Sequence, residues 1–267
     1  MATDLGAGIA ALLGARLAGH QDPCVSVWAG GLDGTSYAAL DADEVHVAAS
    51  TMKLPLALAA HRLHEQGDLD LDAPVLVHAD FASEVPGASF EMDPSYDQDP
   101  ATWAAAGEAL PLRELLRRSL VLSGNLATNL VLEQVGTREV ARVLADAGCS
   151  SRTVVARGIE DAPARDAGLV NVVTAADLAR IMMATPPEVE QVLVAQTYRD
   201  AIPTGLPAGT RVANKTGWLD GVTHDVALVR PGDSDPFVLV VLTRLDVPTG
   251  EADALIADVA RLVCAAR

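Results

Sequence analysis

The β-like runs of this chain lie near its two ends, with a long, mostly helical stretch between them. Residues far apart in sequence must therefore meet to build any sheet. Near the start, CVSVWAG reads as a strand through Val25, Val27 and Trp28, GGLDG as a turn, and TSYAAL as the returning strand. After Gly205, RVANKTG, THDVALVR and PFVLVVLTR read as three strands, the last two joined by the turn PGDSD. Helical spacing of Leu5, Ile9, Leu12, Leu13 and Leu17 precedes the first hairpin over Thr3 to Ala18, and GEADALIADVARLVCAA follows the last strand. The expected fold is α+β: one antiparallel sheet made by the two ends and flanked by the terminal helices, plus an all-helical lobe. The expected division is 1–48 with 205–267 for the α/β lobe and 49–204 for the helical lobe. A cleft between lobes is the usual place for a site.

Within the middle, Ser50 to Gln66 reads as a helix closed by Gly67, with Pro55 tolerated near its first turn. LPLRELLRRSLVL, LATNLVLEQVG, TREVARVLADAG and TAADLARIMMAT read as further helices. Residues 82–107 are rich in Pro, Asp and Ser with weak periodicity and read as a long surface excursion. RGIEDAPARDAGLVN reads as a second loop. With 50% hydrophobic but only 3% aromatic residues, the core has to come from Ala, Val and Leu. The net charge of −17 repels phosphate backbones and anionic lipid, so neither nucleic acid nor a membrane surface is an expected partner. The oligomeric state is not legible. Three scattered cysteines, Cys24, Cys149 and Cys264, show neither metal spacing nor a disulfide framework, though one pair could bridge. The N-terminal segment reads as an amphipathic helix rather than a signal peptide. The expected location is cytoplasmic, or secreted if a leader has been removed.

Three short elements carry chemistry. Ser50-Thr51-Met52-Lys53 places a hydroxyl and an amine on one helix face, beside free N–H groups that can stabilise an oxyanion. The amine can take the serine proton only when neutral, which burial or a nearby cation favours. By itself this spacing also suits a plain helix cap with an exposed lysine. Ser123-Gly124-Asn125 can relay a proton and hold an amide, or be an ordinary N-cap. Lys215-Thr216-Gly217, ending a strand, offers charge and a hydroxyl to a carboxylate and lets a substrate backbone come close; Lys215 could equally be an edge-strand charge. Asn214-Lys215-Thr216 also fits a glycosylation sequon, expected to be accidental. His61 and His64 share a helix face but lack a third ligand, so no metal site is expected, and no cofactor is called for.

Together, in this order and in the contexts AASTMKLPLALAA, LRELLRRSLVLSGNLATNLVLEQVG and NKTGW, the three elements resemble the penicillin-recognising serine hydrolases, class A β-lactamases and penicillin-binding DD-peptidases, over nearly the whole chain. The resemblance implies that Ser50 is acylated, Lys53 activates it and Ser123 passes a proton to the leaving nitrogen. It further implies that Asn125 orients the substrate amide, Lys215 and Thr216 bind its carboxylate, and Gly217 admits its backbone. The N–H groups of Ser50 and Trp218 would form the oxyanion hole. The substrate would be a small molecule or peptide-like compound with a carboxylate. A DD-peptidase or esterase on the same fold is an alternative, and a non-catalytic penicillin-binding or sensor module is another.

Departures are visible. The base that activates water in class A enzymes is expected at Glu160, but Leu-Asn does not follow; Asp161, or neither, could serve. Arg157 could pair with a carboxylate to hold this loop, or be solvated. Gly124 stands where class A enzymes usually carry an aspartate that would brace the turn. His224 lies where many relatives place a cation: either a pH-sensitive anion contact or a histidine hydrogen-bonded beside Asp225.

Overall fold

The structure is a computed structural model that describes residues 5–232 and 234–267. Thr3 and Asp4 of the expected first helix, and Asp233 of the PGDSD turn, lie outside the described residues. The principal elements in chain order are α1 (Leu5–Arg16), β1 (Cys24–Gly31), β2 (Ser36–Leu40), α2 (Lys53–Gln66), α3 (Leu112–Val121), α4 (Asn125–Val135) and α5 (Thr137–Asp146). They continue with α6 (Ala175–Met183), α7 (Pro187–Val194), β3 (Arg211–Leu219), β4 (Val222–Arg230), β5 (Phe237–Arg244) and α8 (Thr249–Ala265).

The chain divides into two compact units. One holds the chain up to Thr51, residues 147–153 and everything from Val172 on; the other holds 52–146 and 154–171. The first unit is built on a five-stranded sheet in the order β2-β1-β5-β4-β3. Its pairings are antiparallel, and β1 runs against β5 from Cys24↔Arg244 to Gly31↔Phe237. Alternate residues of β5, Phe237, Leu239 and Val241, join Val27 and Ala29 of β1 in a core closed by Ile9 and Leu13 of α1 and by Leu255, Ile256, Val259 and Val263 of α8. The intervening Val238, Val240 and Leu242 point to the opposite face and are also fully buried. Helix α6 packs against β1, β4 and β5. A strand buried on both faces has no polar alternation, which is why PFVLVVLTR reads as a continuous apolar run.

The second unit packs α2 against α4 and α5, and α3 against α4. Leu54, Leu56, Leu112, Leu115, Leu120, Leu126 and Leu130 are among its most buried side chains. Gly67 closes α2 in the left-handed region at φ 80°, where its N–H bonds the carbonyl of His64.

One expectation needs correction, and two features were not legible in the sequence. The helical lobe is narrower than 49–204, because α6 and α7 pack on strands, α7 on β3, and group with the sheet. Helix α7 itself went unread between the expected helix at 174–185 and Gly205. Its start is marked by Pro187 and by the acidic Glu188 and Glu190 in the first turn. The excursion at 82–107 is ordered. It contains a hairpin of Asp80–Ala82 with Ser89–Glu91, a 3-10 turn at Pro94–Tyr96 and a short helix at Pro100–Ala104. Phe81 and Phe90 stack across the hairpin with ring centroids 5.6 Å apart. Asp93 and Asp99 cap the turn and the helix, each followed by a proline in the first turn. The cysteines are all free. Among the described residues, no helix is long and apolar enough to cross a membrane.

Candidate active site

The candidate residues divide between the two units, and the chain crosses from one to the other between Thr51 and Met52. Ser50 does not sit on the α-helix as expected: it lies in a 3-10 turn, Ala49–Met52, and α2 begins at Lys53. Ala49, which opens that turn, has φ 44°. Ser123 (φ 57°) and Glu160 (φ 65°) are likewise non-glycine residues in the left-handed region. Such a conformation costs of order 1–3 kcal/mol and persists where surrounding contacts impose it, often at functional positions.

In the first unit, β3 runs directly against the 3-10 turn. A β-carbon on Gly217 would lie 3.0 Å from Ser50 N, 3.1 Å from Thr51 N and 3.2 Å from the Ala49 β-carbon. Only glycine allows the strand this close to the serine backbone, which places Ser50 N beside Gly217 and its neighbour Trp218. Trp218 packs edge-on to Tyr198 at 4.7 Å. Lys215 is fully buried, and its Nζ donates to Thr216 O at 2.7 Å. Burial pushes the Lys215 ammonium down to about 7, against the opposing pull of Asp225. Burial pushes Asp225 up to about 7, against hydrogen bonds from Asn214 Nδ2 (3.0 Å) and Ile202 N (3.0 Å) and the charge of Lys215. Asn214 is fully buried, so its sequon is not a surface acceptor. Thr216 Oγ1 is buried and makes no hydrogen bond. An unsatisfied buried hydroxyl costs about 1–3 kcal/mol, which marks it as a group waiting for an acceptor or donor.

His224 is not an anion contact. It is fully buried, its Nδ1 accepts from Thr243 N at 3.1 Å and its Nε2 donates to Val47 O at 2.9 Å. Both ring nitrogens are therefore occupied by backbone, and burial holds the imidazole down to about 4. His46 packs against it edge-on at 5.6 Å. The hydrogen-bonded reading holds, with backbone partners rather than Asp225.

In the second unit, Lys53 is fully buried. Its Nζ donates to Ser123 O at 2.7 Å, Asn125 Oδ1 at 2.9 Å and Ser123 Oγ at 3.3 Å. The exposed helix-cap lysine is thus excluded. An unpaired buried ammonium would cost several kcal/mol, and these acceptors offset that. The structure brings Lys53, Ser123 and Asn125 into one hydrogen-bonded group.

Glu160 lies on the second loop. Its Oε2 accepts from Asp93 N at 2.8 Å, and its Oε1 is buried with no partner. Burial, and then the charges of Asp93 and Asp97, push its carboxyl above the usual range, against the Asp93 N–H bond. Asp161, the rival base, is buried and already engaged: it accepts from Ser83 Oγ (2.6 Å), Glu84 N (3.0 Å) and Ala164 N (3.0 Å), capping a short helix at Ala162–Asp166. Arg157 holds the loop through carbonyls rather than a carboxylate, donating to Leu169 O and Gly158 O.

Sequence reasoning missed the residues that pin this region. Asn129 donates to Ile159 O (2.8 Å) and accepts from Ile159 N (2.9 Å). Asn171 donates to Arg157 O (2.9 Å) and accepts from Ala156 N (2.8 Å) and Arg157 N (3.1 Å). These two amides hold the loop that carries Glu160 through its backbone. The signal for Asn129 was an amide inside the apolar run LATNLVL, a buried polar group in need of partners. The excursion also reaches the group: Tyr96 O accepts from Asn125 Nδ2 at 2.8 Å, and Asp97 bonds the first turn of α4.

Comparison with known proteins gives the family and the fold. A family described as the β-lactamase enzyme family matches residues 7–266. A β-lactamase from Bacillus licheniformis is 29% identical over 189 residues, spanning 66% of this chain and 62% of that protein. The chain thus spans less than two thirds of the length of that relative. Among solved structures, an ancestral class A β-lactamase superposes with a TM-score of 0.80 at 26% identity, covering 98% of this chain and 100% of that one. The protein called PBP-A superposes with a TM-score of 0.78 at 21% identity, covering 99% of this chain and 96% of that one, a likeness of fold.

Proposed function

The chain belongs to the β-lactamase enzyme family, and from that premise we propose that it is a serine hydrolase that opens β-lactam or related amide bonds through an acyl-enzyme on Ser50. The observation that carries the reading is the buried Lys53 amine held by Ser123 and Asn125. A Leu or Met would fill the space without a polar group to satisfy, so packing alone does not account for a lysine there.

In the proposed mechanism, Lys53 acts as the neutral amine, the form that burial favours: it takes the proton of Ser50 Oγ, and the oxygen attacks the carbonyl carbon. The N–H groups of Ser50 and Trp218 receive the developing oxyanion; one such donor is worth on the order of a hundred- to a thousandfold in rate. As the C–N bond breaks, Ser123 Oγ gives its proton to the leaving nitrogen and recovers one from Lys53. Asn125 orients the acyl amide. Lys215 and the unpartnered Thr216 hydroxyl bind the carboxylate. Glu160 then takes a proton from water as the water attacks the ester carbonyl, and as the C–O bond breaks Ser50 Oγ takes a proton back, so that Ser50 leaves as the hydroxyl and Glu160 ends as the carboxylate.

Intact-mass spectrometry after mixing with a penicillin tests this. An adduct mapping to Ser50, lost as hydrolysed drug appears, is the expected result; absence of any adduct at all times would overturn the reading. A second reading, in which the adduct persists as in a penicillin-binding protein, draws on one observation: Glu160 has a single hydrogen-bond partner, a backbone N–H, and no side chain braces it.

The carboxylate role of Lys215 predicts a pH dependence. Its charged form is present below about 7 and is lost as pH rises through that value. For a penicillin with a free carboxylate, kcat/KM is expected to fall on the alkaline side by about tenfold per pH unit once the charge is gone. A penicillin methyl ester should lack this limb. Identical alkaline limbs for acid and ester would rule out the role.

A further inference from the structure

We propose that Asp97, on the ordered excursion, is a positioning residue: it fixes Asn125, and through Asn125 the Lys53 amine, in the geometry needed for acylation. This rests on the acyl-enzyme reading above. The Asp97 carboxylate receives Asn125 N at 2.9 Å, Leu126 N at 2.7 Å, Trp103 Nε1 at 2.9 Å and Asp99 N at 3.0 Å. A carboxylate has about four lone-pair sites, so every one of them is used. Two of these bonds grip the first turn of α4, one the backbone of the excursion and one the ring of Trp103. The adjacent carbonyl, Tyr96 O, takes Asn125 Nδ2, which leaves Asn125 Oδ1 turned to Lys53 Nζ at 2.9 Å. The orientation of the Asn125 amide is thereby set from both ends.

The middle residue of the Ser-Gly-Asn turn explains why the brace has to come from elsewhere. A β-carbon on Gly124 would stand 2.9 Å from the Asp99 β-carbon and 3.3 Å from its Oδ2. The space that a side chain at position 124 would fill is occupied by Asp99, which caps the helix at Pro100–Ala104 and lies 3.7 Å from Arg118 Nη1. The excursion thus takes over the bracing that the turn itself lacks.

The test compares Asp97→Asn and Asp97→Ala with the parent by stopped-flow acylation with a penicillin, expressed per labelled site, alongside Tm. In Asp97→Asn the amide oxygen can accept two of the four N–H groups, and the amide nitrogen opposes the rest. The acylation rate constant per labelled site is expected to fall by about a hundredfold, as a misplacement of about 1 Å does. Adding Trp103→Phe to Asp97→Asn removes one opposed N–H and should recover part of the loss. A purely structural role would lower Tm and the labelled fraction but leave the rate constant per labelled site unchanged, which would overturn the proposal. A second readout needs no substrate: amide exchange at Asn125 and Leu126 should quicken by more than about tenfold in either variant while the rest of α4 stays protected. Unchanged exchange at both amides would also overturn it. An unlabelled parent would sink the functional reading instead and leave exchange to decide the positioning.

Discussion

Ser50→Ala is expected to carry no penicillin adduct at any time after mixing and to lose turnover by on the order of 10⁴- to 10⁶-fold. The hydroxyl oxygen is the only heavy atom lost. Ser50 lies at intermediate exposure in its 3-10 turn, away from the fully buried core. A substitution of this kind shifts stability by roughly ±0.5 kcal/mol, so an unchanged Tm is expected beside the lost chemistry. Lys53 keeps its acceptors on Ser123 and Asn125 in the variant, so the amine stays in place with nothing to activate. A label that persists on the variant, mapped to another side chain, would remove Ser50 from the mechanism. Turnover without any label would move the chemistry to direct attack by water.

Glu160→Gln is expected to acylate at the parental rate and then stall. General acid–base catalysis supplies about 10²- to 10⁴-fold, and loss of that factor in the second half-reaction alone turns a transient adduct into a long-lived one. The change is isosteric, and the amide oxygen can still accept from Asp93 N as Oε2 does. What is removed is a carboxylate whose other oxygen is buried and unpartnered, the group that takes a proton from water in the proposed deacylation. Because burial and the charges of Asp93 and Asp97 raise its pKa, the parent should lose deacylation as pH falls through that raised value, before an ordinary glutamate would protonate. Rapid loss of the adduct in Glu160→Gln would remove Glu160 from the reaction. Asp161 would not be the default successor, since its carboxylate already satisfies three donors.

The α+β architecture was legible because it is written in two periodicities. The alternating and continuous apolar runs gave the five strands, and the spacing of Leu5, Ile9, Leu12, Leu13 and Leu17 gave the first helix. The three short elements stood out because residue types at fixed spacing are properties of sequence alone. What was not legible depends on single hydrogen bonds. The turns and short helix of the excursion are too brief to show a period; they are made by Asp93 and Asp99 capping before prolines, a signal two residues long. Burial of His224 against Val47 O and Thr243 N follows from strand register, which no local pattern at THDVALVR reports. The grouping of α6 and α7 with the sheet depends on packing between elements distant in sequence, and helical periodicity gives only the helices themselves.

The order of strands also governs when the sheet can exist at all. Strand β1, finished by residue 31, takes its central partner from β5 at 237–244, about 200 residues later in synthesis. At roughly 5–20 residues per second, the ribosome needs on the order of 10–40 s to deliver that partner. During this interval the first hairpin has only two strands, too few for independent stability in water. The helices of 52–146 emerge meanwhile and can pack locally, so the nascent chain is expected to acquire its second unit first. A ribosome stalled before residue 237 would hold β1 with one edge unpaired, an apolar strand open to pairing with another nascent chain.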